Sequence, residues 1–451
     1  MDGAAGHSWQ DTPHGRRCEP DRRIPNYEAD HVRITLAYGS DGLDVDLPDD
    51  RTTIVAPVHQ RATDTPEAAL RSALRTPVAG PPLRDLAQPG QMVAISVCDI
   101  TRPQPRQLML EAVLDELEGI VRPADVTVLV ATGTHRASTP AELLAMLGER
   151  VLRDCRVVDH VALDRGSLVD LGMVGYVPVL LDREWVAADL RITTGFVEPH
   201  FFAGFSGGPK MVAPGLAGID TTLALHNAQR IGDPRATWGI CEGNPVHDAV
   251  RAIATATGID FSLDVLLNHE QRITRAFGGS VLEMHAAARA VARKEAMRAV
   301  PHPFDIVVTT NSGYPLDQNL YQAIKGISAA AEVVRVGGTI ICAAECRDGL
   351  PDHGDYARIL ASRDTPAELL AAIGASTVTI PDQWQVQVQA RVQTRARVLV
   401  KADGLTGTQL AAAHLEGVDD IAAMVEQLIR AQPDATVCVL PQGPQTIAWV
   451  A

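Results

Sequence analysis

The sequence predicts an α/β protein, built as two α/β domains with a cleft between them. Three observations point there. The chain has 451 residues, more than one hydrophobic core ordinarily organises. Short apolar, β-branched runs alternate with longer Ala/Leu/Glu/Arg segments, the rhythm of a parallel sheet with crossover helices. That rhythm is interrupted by an Ala/Arg-rich stretch ending in Pro301-His302-Pro303, and then restarts.

Taken in order, residues 92–97 read as a strand ending at Cys98-Asp99, and 106–119 as a helix. Residues 125–131 form the next strand, running into Thr132-Gly133-Thr134-His135, followed by a helix at 140–153 and a strand at 155–161. A strand at 190–194 leads into Gly195-Phe196-Val197-Glu198-Pro199-His200. Residues 286–300 read as a helical connector. Beyond it come a strand at 304–309, a helix at 318–334, a strand at 338–343, a helix at 365–373 and an extended segment at 395–400. The expected organisation is a mobile polar tail over 1–25, a cofactor-binding domain over 26–290 and a second domain over 301–430. A tail at 431–451 carries a strand at 436–440, free to pack on either domain and drawn here as one that can return to the first. Polar segments at strand ends are where open α/β sheets bind ligands.

An apolar fraction of 46% with 21% charged residues is that of a soluble globular protein. No run approaches the roughly 18 apolar residues of a membrane span, and the first 25 residues carry no apolar signal-peptide core. The seven cysteines lie at 18, 98, 155, 241, 342, 346 and 438, without a CxxC. That spacing indicates neither a disulfide framework nor a zinc ribbon, and a reducing cytoplasm fits best. A net charge of −15 argues against nucleic acid, but not against a small anion held by a few cations in a cleft.

Those cations are conspicuous. Of forty basic residues only four are lysine: Lys210, Lys294, Lys325 and Lys401. Arginine does not give up its proton and is a planar fork, so a scarce lysine invites a role for a compact amine. Lys210 closes Phe205-Ser206-Gly207-Gly208-Pro209-Lys210. The glycines allow positive φ and close backbone approach, and the loop's N–H groups are expected to cradle an anion. Spacing and the proline before the lysine separate it from a P-loop. His200 lies just upstream, and His226 follows sixteen residues after Lys210 on an expected helix, as a metal ligand or a satisfied core group.

Three further strings carry chemistry. Asp99-Ile100-Thr101-Arg102-Pro103 places a carboxylate, a hydroxyl and a guanidinium at a strand end, suited to gripping a carboxylate or phosphate, or to a surface ion pair. Ala131-Thr132-Gly133-Thr134-His135-Arg136 puts an imidazole at the mouth of the expected cleft, as general base or as capping group. Asp317-Gln318-Asn319-Leu320-Tyr321-Gln322-Ala323-Ile324-Lys325-Gly326 opens a helix with Asp317 as expected N-cap. Tyr321, Gln322 and Lys325 share one helix face there, as a carboxylate site or a solvated surface. No HExxH, no GxSxG and no GxGxxG in a nucleotide-binding context is present, and Cys342 and Cys346 have no nearby histidine partners.

Together these strings resemble the nickel-dependent lactate racemase family, in order and spacing, from Asp99 to Trp384. The resemblance implies a nickel-pincer nucleotide, a pyridinium mononucleotide whose carbon and two sulfurs hold Ni(II) in a square plane. It implies His226 as the metal's fourth ligand and Lys210 as the cofactor anchor, through an amine linkage that a guanidinium would serve poorly. Asp99, Ile100, Thr101 and Arg102 match cofactor-holding positions, with Arg102 also near substrate. His135 and His200 match a pair of catalytic bases. Tyr321, Gln322, Lys325 and Trp384 fall at substrate-binding positions. The implied reaction is racemisation or epimerisation of a 2-hydroxy acid through a 2-keto acid by proton-coupled hydride transfer. Phe201 and Phe202 favour an aliphatic or aromatic hydroxy acid over a sugar acid. The implied partners are this small substrate and the proteins that build the pincer cofactor, with no nucleic acid and no membrane. Two other readings remain open: a non-catalytic nucleotide-storage protein, and an oxidoreductase using a free pyridine nucleotide, which the missing dinucleotide fingerprint disfavours.

Overall fold

The structure, a computed structural model, describes residues 31–58, 60–351 and 354–451. The tail expected over 1–25 lies outside the described residues.

Two six-stranded sheets organise the chain. The first runs, edge to edge, Ile273–Gly279, Phe261–Leu267, Leu190–Phe196, Val93–Cys98, Val126–Ala131, Arg156–Asp159. It is parallel except at Ile273–Gly279, which returns antiparallel on Phe261–Leu267. Its central strand Val93–Cys98 is buried throughout, which explains its unalternating apolar sequence. Helices Arg106–Leu117 and Pro140–Asp154 cross between the strands. The second begins at Thr139, whose hydroxyl accepts from Glu142 N–H while the Glu142 carboxylate accepts from Thr139 N–H, a reciprocal cap.

The second sheet runs Glu416–Gly417, Arg397–Lys401, Val334–Ala343, Phe304–Thr310, Val437–Leu440, Thr52–Ile54, all parallel. Two features depart from the sequence expectation. The tail strand Val437–Leu440 does not return to the first sheet but lies inside the second, between Phe304–Thr310 and Thr52–Ile54. Its four residues are all buried, and such a run needs a neighbour on each side. Nor do residues 31–54 pack with the first domain. Thr52–Ile54 is an edge strand of the second sheet, and the hairpin His31–Leu36/Leu43–Pro48 buries Ile34, Leu36, Val45 and Leu47 against Ile306, Val308 and Ile341. The alternation of these strands marks an apolar face, but nothing local says which core receives it.

The connector also differs. The helix spans Val281–Ala296, and Met297–Val300 is a strand paired with a C-terminal strand, Ile447–Val450. Pairing with a distant partner overrides the helical propensity of the Ala/Arg stretch. The halves are joined along helix Gln383–Gln393: Gln387 Nε2 donates to the Ala228 carbonyl at 2.8 Å and an Arg391 Nη donates to the Ile231 carbonyl at 2.7 Å.

In the first sheet the chain proceeds outward from Val93–Cys98 in one direction and places Leu190–Phe196 on the other side. The strand order therefore reverses between these two strands. The crevice beyond their carboxyl ends is the place where open α/β sheets bind ligands, and Asp99 and His200 sit on the two loops that leave it.

Candidate active site

The loop after Val93–Cys98 is pinned from behind. Arg106 is buried, with Nε donating to the Cys98 carbonyl at 2.6 Å and Nη2 to the carbonyls of Asp99 and Arg102. Gln104, also buried, accepts from Cys98 N–H at 2.7 Å and donates to Thr194 Oγ1 at 2.9 Å. These side chains satisfy a strand end that would otherwise leave polar backbone unpaired. They were not singled out in the sequence; a glutamine and a second arginine so soon after Arg102 were the available signal.

That frame presents Asp99. Its carboxylate accepts from His135 Nδ1–H at 2.7 Å and from Thr101 Oγ1 at 2.8 Å. Burial pushes this carboxyl up, but the His135 and Thr101 bonds and the Arg102 charge outweigh it and hold it below its ordinary range. Asp99 stays charged, fixes the His135 ring and leaves Nε2 with a lone pair. Arg102 is exposed, and its charge acts on Lys210, Lys325 and Glu198. Ile100 stands apart: 40% exposed, it lines a shallow depression with Pro105 and Met146.

His200 begins a compact aromatic group. Its Nδ1 accepts from Phe202 N–H at 3.4 Å and Ala203 N–H at 3.3 Å, which assigns the ring proton to Nε2. Phe201 stacks on it at 5.0 Å and Phe202 meets it edge-on at 4.6 Å. Burial, then the Lys210 and Arg102 charges, hold His200 well below its ordinary value, so it is neutral. Phe202 also lies edge-on to His226 at 5.2 Å, and Lys210 Nζ is 6.0 Å from its ring centre.

His226 caps the C-terminus of helix Ile219–Leu225. Its Nδ1–H donates to the Thr222 carbonyl at 2.7 Å, and burial lowers its pKa to about 4. Its Nε2 lone pair is thus free for a metal at neutral pH. Trp384, from the other half, covers the ring at 4.8 Å.

Lys210 and Lys325 reach the cleft from the two halves. For each, burial and then the Arg102 charge lower the pKa to about 7. Lys325 Nζ donates to Gln322 Oε1 at 2.7 Å, a three-residue spacing on one helix face, as expected. The helix itself spans Leu320–Ala330 and its cap is Asn319, which accepts from Gln322 N–H at 3.1 Å. Asp317, the expected cap, instead accepts from Gly39 N–H at 2.8 Å and Glu345 N–H at 3.0 Å. Tyr321 turns toward Tyr356, ring to ring at 5.3 Å, and burial with Asp382 nearby raises its hydroxyl. Glu198, exposed and not assigned a role from sequence, faces Arg102, Lys325 and Lys210.

The glycine loop does not act as the expected anion cradle. The N–H groups of Ser206, Gly208 and Lys210 are already paired, with the Glu198 carbonyl, Asp264 Oδ2 and the Gly207 carbonyl. The glycines serve close packing: a Cβ on Gly207 would lie 2.6 Å from Asp264 Oδ2, and one on Gly208 would lie 2.6 Å from the His285 ring.

Among the described residues no three His, Cys, Asp or Glu side chains converge to hold a metal ion. His226 is a single ready imidazole, beside a lysine whose amine is half deprotonated near pH 7. Such a set fits a metal that arrives with its other ligands inside an organic group.

Fold and cleft define a two-lobed α/β protein whose halves close around a cationic, imidazole-bearing crevice. Residues 38–239 match the lactate racemase N-terminal domain and residues 300–448 the lactate racemase C-terminal domain. The chain belongs to the lactate racemase family. It is 33% identical to the lactate racemase of Thermoanaerobacterium thermosaccharolyticum, over 92% of this chain and 99% of that one. It is 35% identical to the lactate racemase of Lactiplantibacillus plantarum, over 88% and 98%. Its fold is similar to the lactate racemase apoprotein structure from T. thermosaccharolyticum, with a TM-score of 0.86 at 31% identity, covering 92% of this chain and 100% of that one. A Thermotoga maritima protein shares the fold alone, with a TM-score of 0.63 at 17% identity over 85% and 98%.

Proposed function

We propose that this protein racemises or epimerises a 2-hydroxy acid with a bound nickel-pincer nucleotide, lactate being the first substrate to test. One observation carries the reading. His135 and His200 are held in opposite protonation patterns around a crevice that also holds a metal-ready His226 and the cations Arg102, Lys210 and Lys325.

When bound, the cofactor supplies a hydride acceptor and donor for the substrate Cα. The chain's own residues do the rest. His226 Nε2 would ligate the nickel, with Trp384 and Phe202 restricting the ring. Lys210 would anchor the organic part, and Asp99, Thr101 and Arg102 would border it. Lys325, steadied by Gln322, and Arg102 would bind the substrate carboxylate. His135, with Nδ1–H on Asp99, accepts the hydroxyl proton at Nε2, and the Asp99 charge stabilises the imidazolium that forms. To return a proton from its own side, His200 would first carry a second proton as the imidazolium, so that giving one to the carbonyl oxygen leaves a neutral ring. For the opposite enantiomer the two exchange roles. Phe201 and Phe202 favour short aliphatic or aromatic substituents over a polyhydroxylated chain. A cytoplasmic setting, where cofactor-building proteins would load the chain, agrees with the six described cysteines all being free. Among the described residues no helix is long and apolar enough to cross a membrane.

The test is racemisation of enantiopure 2-hydroxy acids by cofactor-loaded protein. A pH dependence follows from Lys325. Its pKa near 7 means the cation is present below that pH and lost above it, so KM for the hydroxy acid is expected to rise as pH goes from 6 to 8.5. A Lys325→Gln variant should have a KM raised by about ten- to a hundredfold at pH 6.5, the worth of one charge-assisted hydrogen bond at about 1.5–3 kcal/mol. That variant's KM should also be nearly flat with pH. Steady-state kinetics across this range checks both.

A further inference from the structure

The Lys210 loop is gripped from beneath by two buried groups that take no part in the mechanism above. Asp264 lies mid-strand in Phe261–Leu267 and is fully buried. Its Oδ2 accepts from Gly208 N–H at 2.7 Å. Among the described residues its Oδ1 has no hydrogen-bond partner, and it abuts Gly195, where a Cβ would come within 2.9 Å of it. His285, on helix Val281–Ala296, donates through Nε2 to the Ser206 carbonyl at 2.8 Å. The two bonds fall on either side of Gly207, whose φ of +75° and crowded surroundings, the Phe196 carbonyl at 2.7 Å from any Cβ, admit only glycine. Lys210 is two residues beyond the second grip. Asp264 is also in register with Gly195 on Leu190–Phe196, the strand that delivers His200.

We infer that Asp264 and His285 are positioning residues that lock the Ser206–Gly208 backbone and thereby hold the Lys210 amine in the cleft. A carboxyl group inside an apolar strand, pushed by burial up to about 7 and with one oxygen unpaired among the described residues, is costly to keep for packing alone. A clamp on a loop bearing a reactive amine accounts for it. The inference rests on the reading that Lys210 acts in the cleft, and its test does not need the cofactor.

The scarcity of lysine makes that test clean. Full-length protein made without cofactor is treated at pH 8 with a trace of an amine acylating reagent, and rates at Lys210, Lys325, Lys294 and Lys401 are read by peptide mass spectrometry. In the cleft, with Arg102, Lys325, Glu198 and Cys241 facing it, Lys210 has a pKa of about 7 and is about 90% free amine at this pH. A lysine of ordinary pKa near 10.4 is well under 1% free amine. Lys325 shares the cleft and a pKa of about 7 but not the clamp, so it is the internal control. Asp264→Ala and His285→Leu are expected to slow Lys210 at least fivefold and leave Lys325 within twofold. Asp264→Asn, which still accepts from Gly208, and His285→Gln, which still donates to Ser206, are expected to restore the Lys210 rate. Should Asp264→Ala not fold, the His285 pair carries the same comparison. An unchanged Lys210 rate in the alanine and leucine variants would overturn the inference, as would equal slowing of Lys210 and Lys325 or slowing that the conservative variants do not relieve. If instead these rates behave as expected but loaded protein racemises nothing, the clamp stands and the proposed function falls.

Discussion

Loaded with cofactor, a His200→Ala variant is expected to lose racemisation by at least about 10³-fold, and His135→Ala by a similar factor. General acid–base groups contribute about 10²–10⁴-fold each, and here neither can substitute for the other. A 2-hydroxy acid presents its hydroxyl to different sides in its two enantiomers, so a catalyst acting on both needs a proton acceptor for each. His135 is oriented by a buried carboxylate at 2.7 Å, and His200 by two backbone N–H groups at 3.3 and 3.4 Å. Among the described residues, neither ring has a neighbouring imidazole in hydrogen-bond contact to take over its proton. Nickel content is expected to stay nearly unchanged in both variants, because neither ring is the proposed ligand. Metal analysis beside chiral product analysis therefore separates turnover from binding. A protein that merely stores the nucleotide would show no racemisation in the parent protein to lose.

Lys210→Arg is the second large effect. The parent, loaded in the cell, should retain a cofactor adduct visible in its intact mass; the arginine variant should show the bare chain mass and no racemisation. Arginine keeps the positive charge, so charge alone is not what the substitution removes. It removes an amine that burial and Arg102 bring to a pKa of about 7, half of it nucleophilic at neutral pH, and supplies a group that stays protonated. Full adduct mass on the variant would place the anchor elsewhere.

Much of this site was legible in the sequence because its pieces are short strings at strand ends, where φ/ψ demands and polar function coincide. Asp99, His135 and His200 were placed by the strands before them, and Lys325 by helical spacing from Gln322. The three-residue offset needs no tertiary information. What could not be read was set by distant partners. The cap of the Leu320–Ala330 helix moved to Asn319 because Asp317 is drawn to backbone N–H groups of Gly39 and Glu345, hundreds and tens of residues away. The glycines of the Lys210 loop read as an anion nest, but their real neighbours, Asp264 and His285, come from a strand and a helix far downstream. Asp264 itself had a signal, a lone carboxylate in the run Phe261-Ser262-Leu263-Asp264-Val265-Leu266-Leu267. Likewise, the hairpin over 31–48 announced its apolar face and not its destination, since a two-residue period fixes which side is buried but not against what.

The central claim is that paired imidazoles move the hydroxyl proton while the Cα hydrogen travels as hydride. It is tested most directly by incubating cofactor-loaded protein with enantiopure lactate, and then with a panel of other 2-hydroxy acids, in D₂O and analysing the product by chiral chromatography and mass. The account predicts the opposite enantiomer with its Cα hydrogen retained, because hydride does not exchange with water. Opposite enantiomer carrying solvent deuterium at Cα, or no inversion of any 2-hydroxy acid in the panel by nickel-loaded protein, would contradict it.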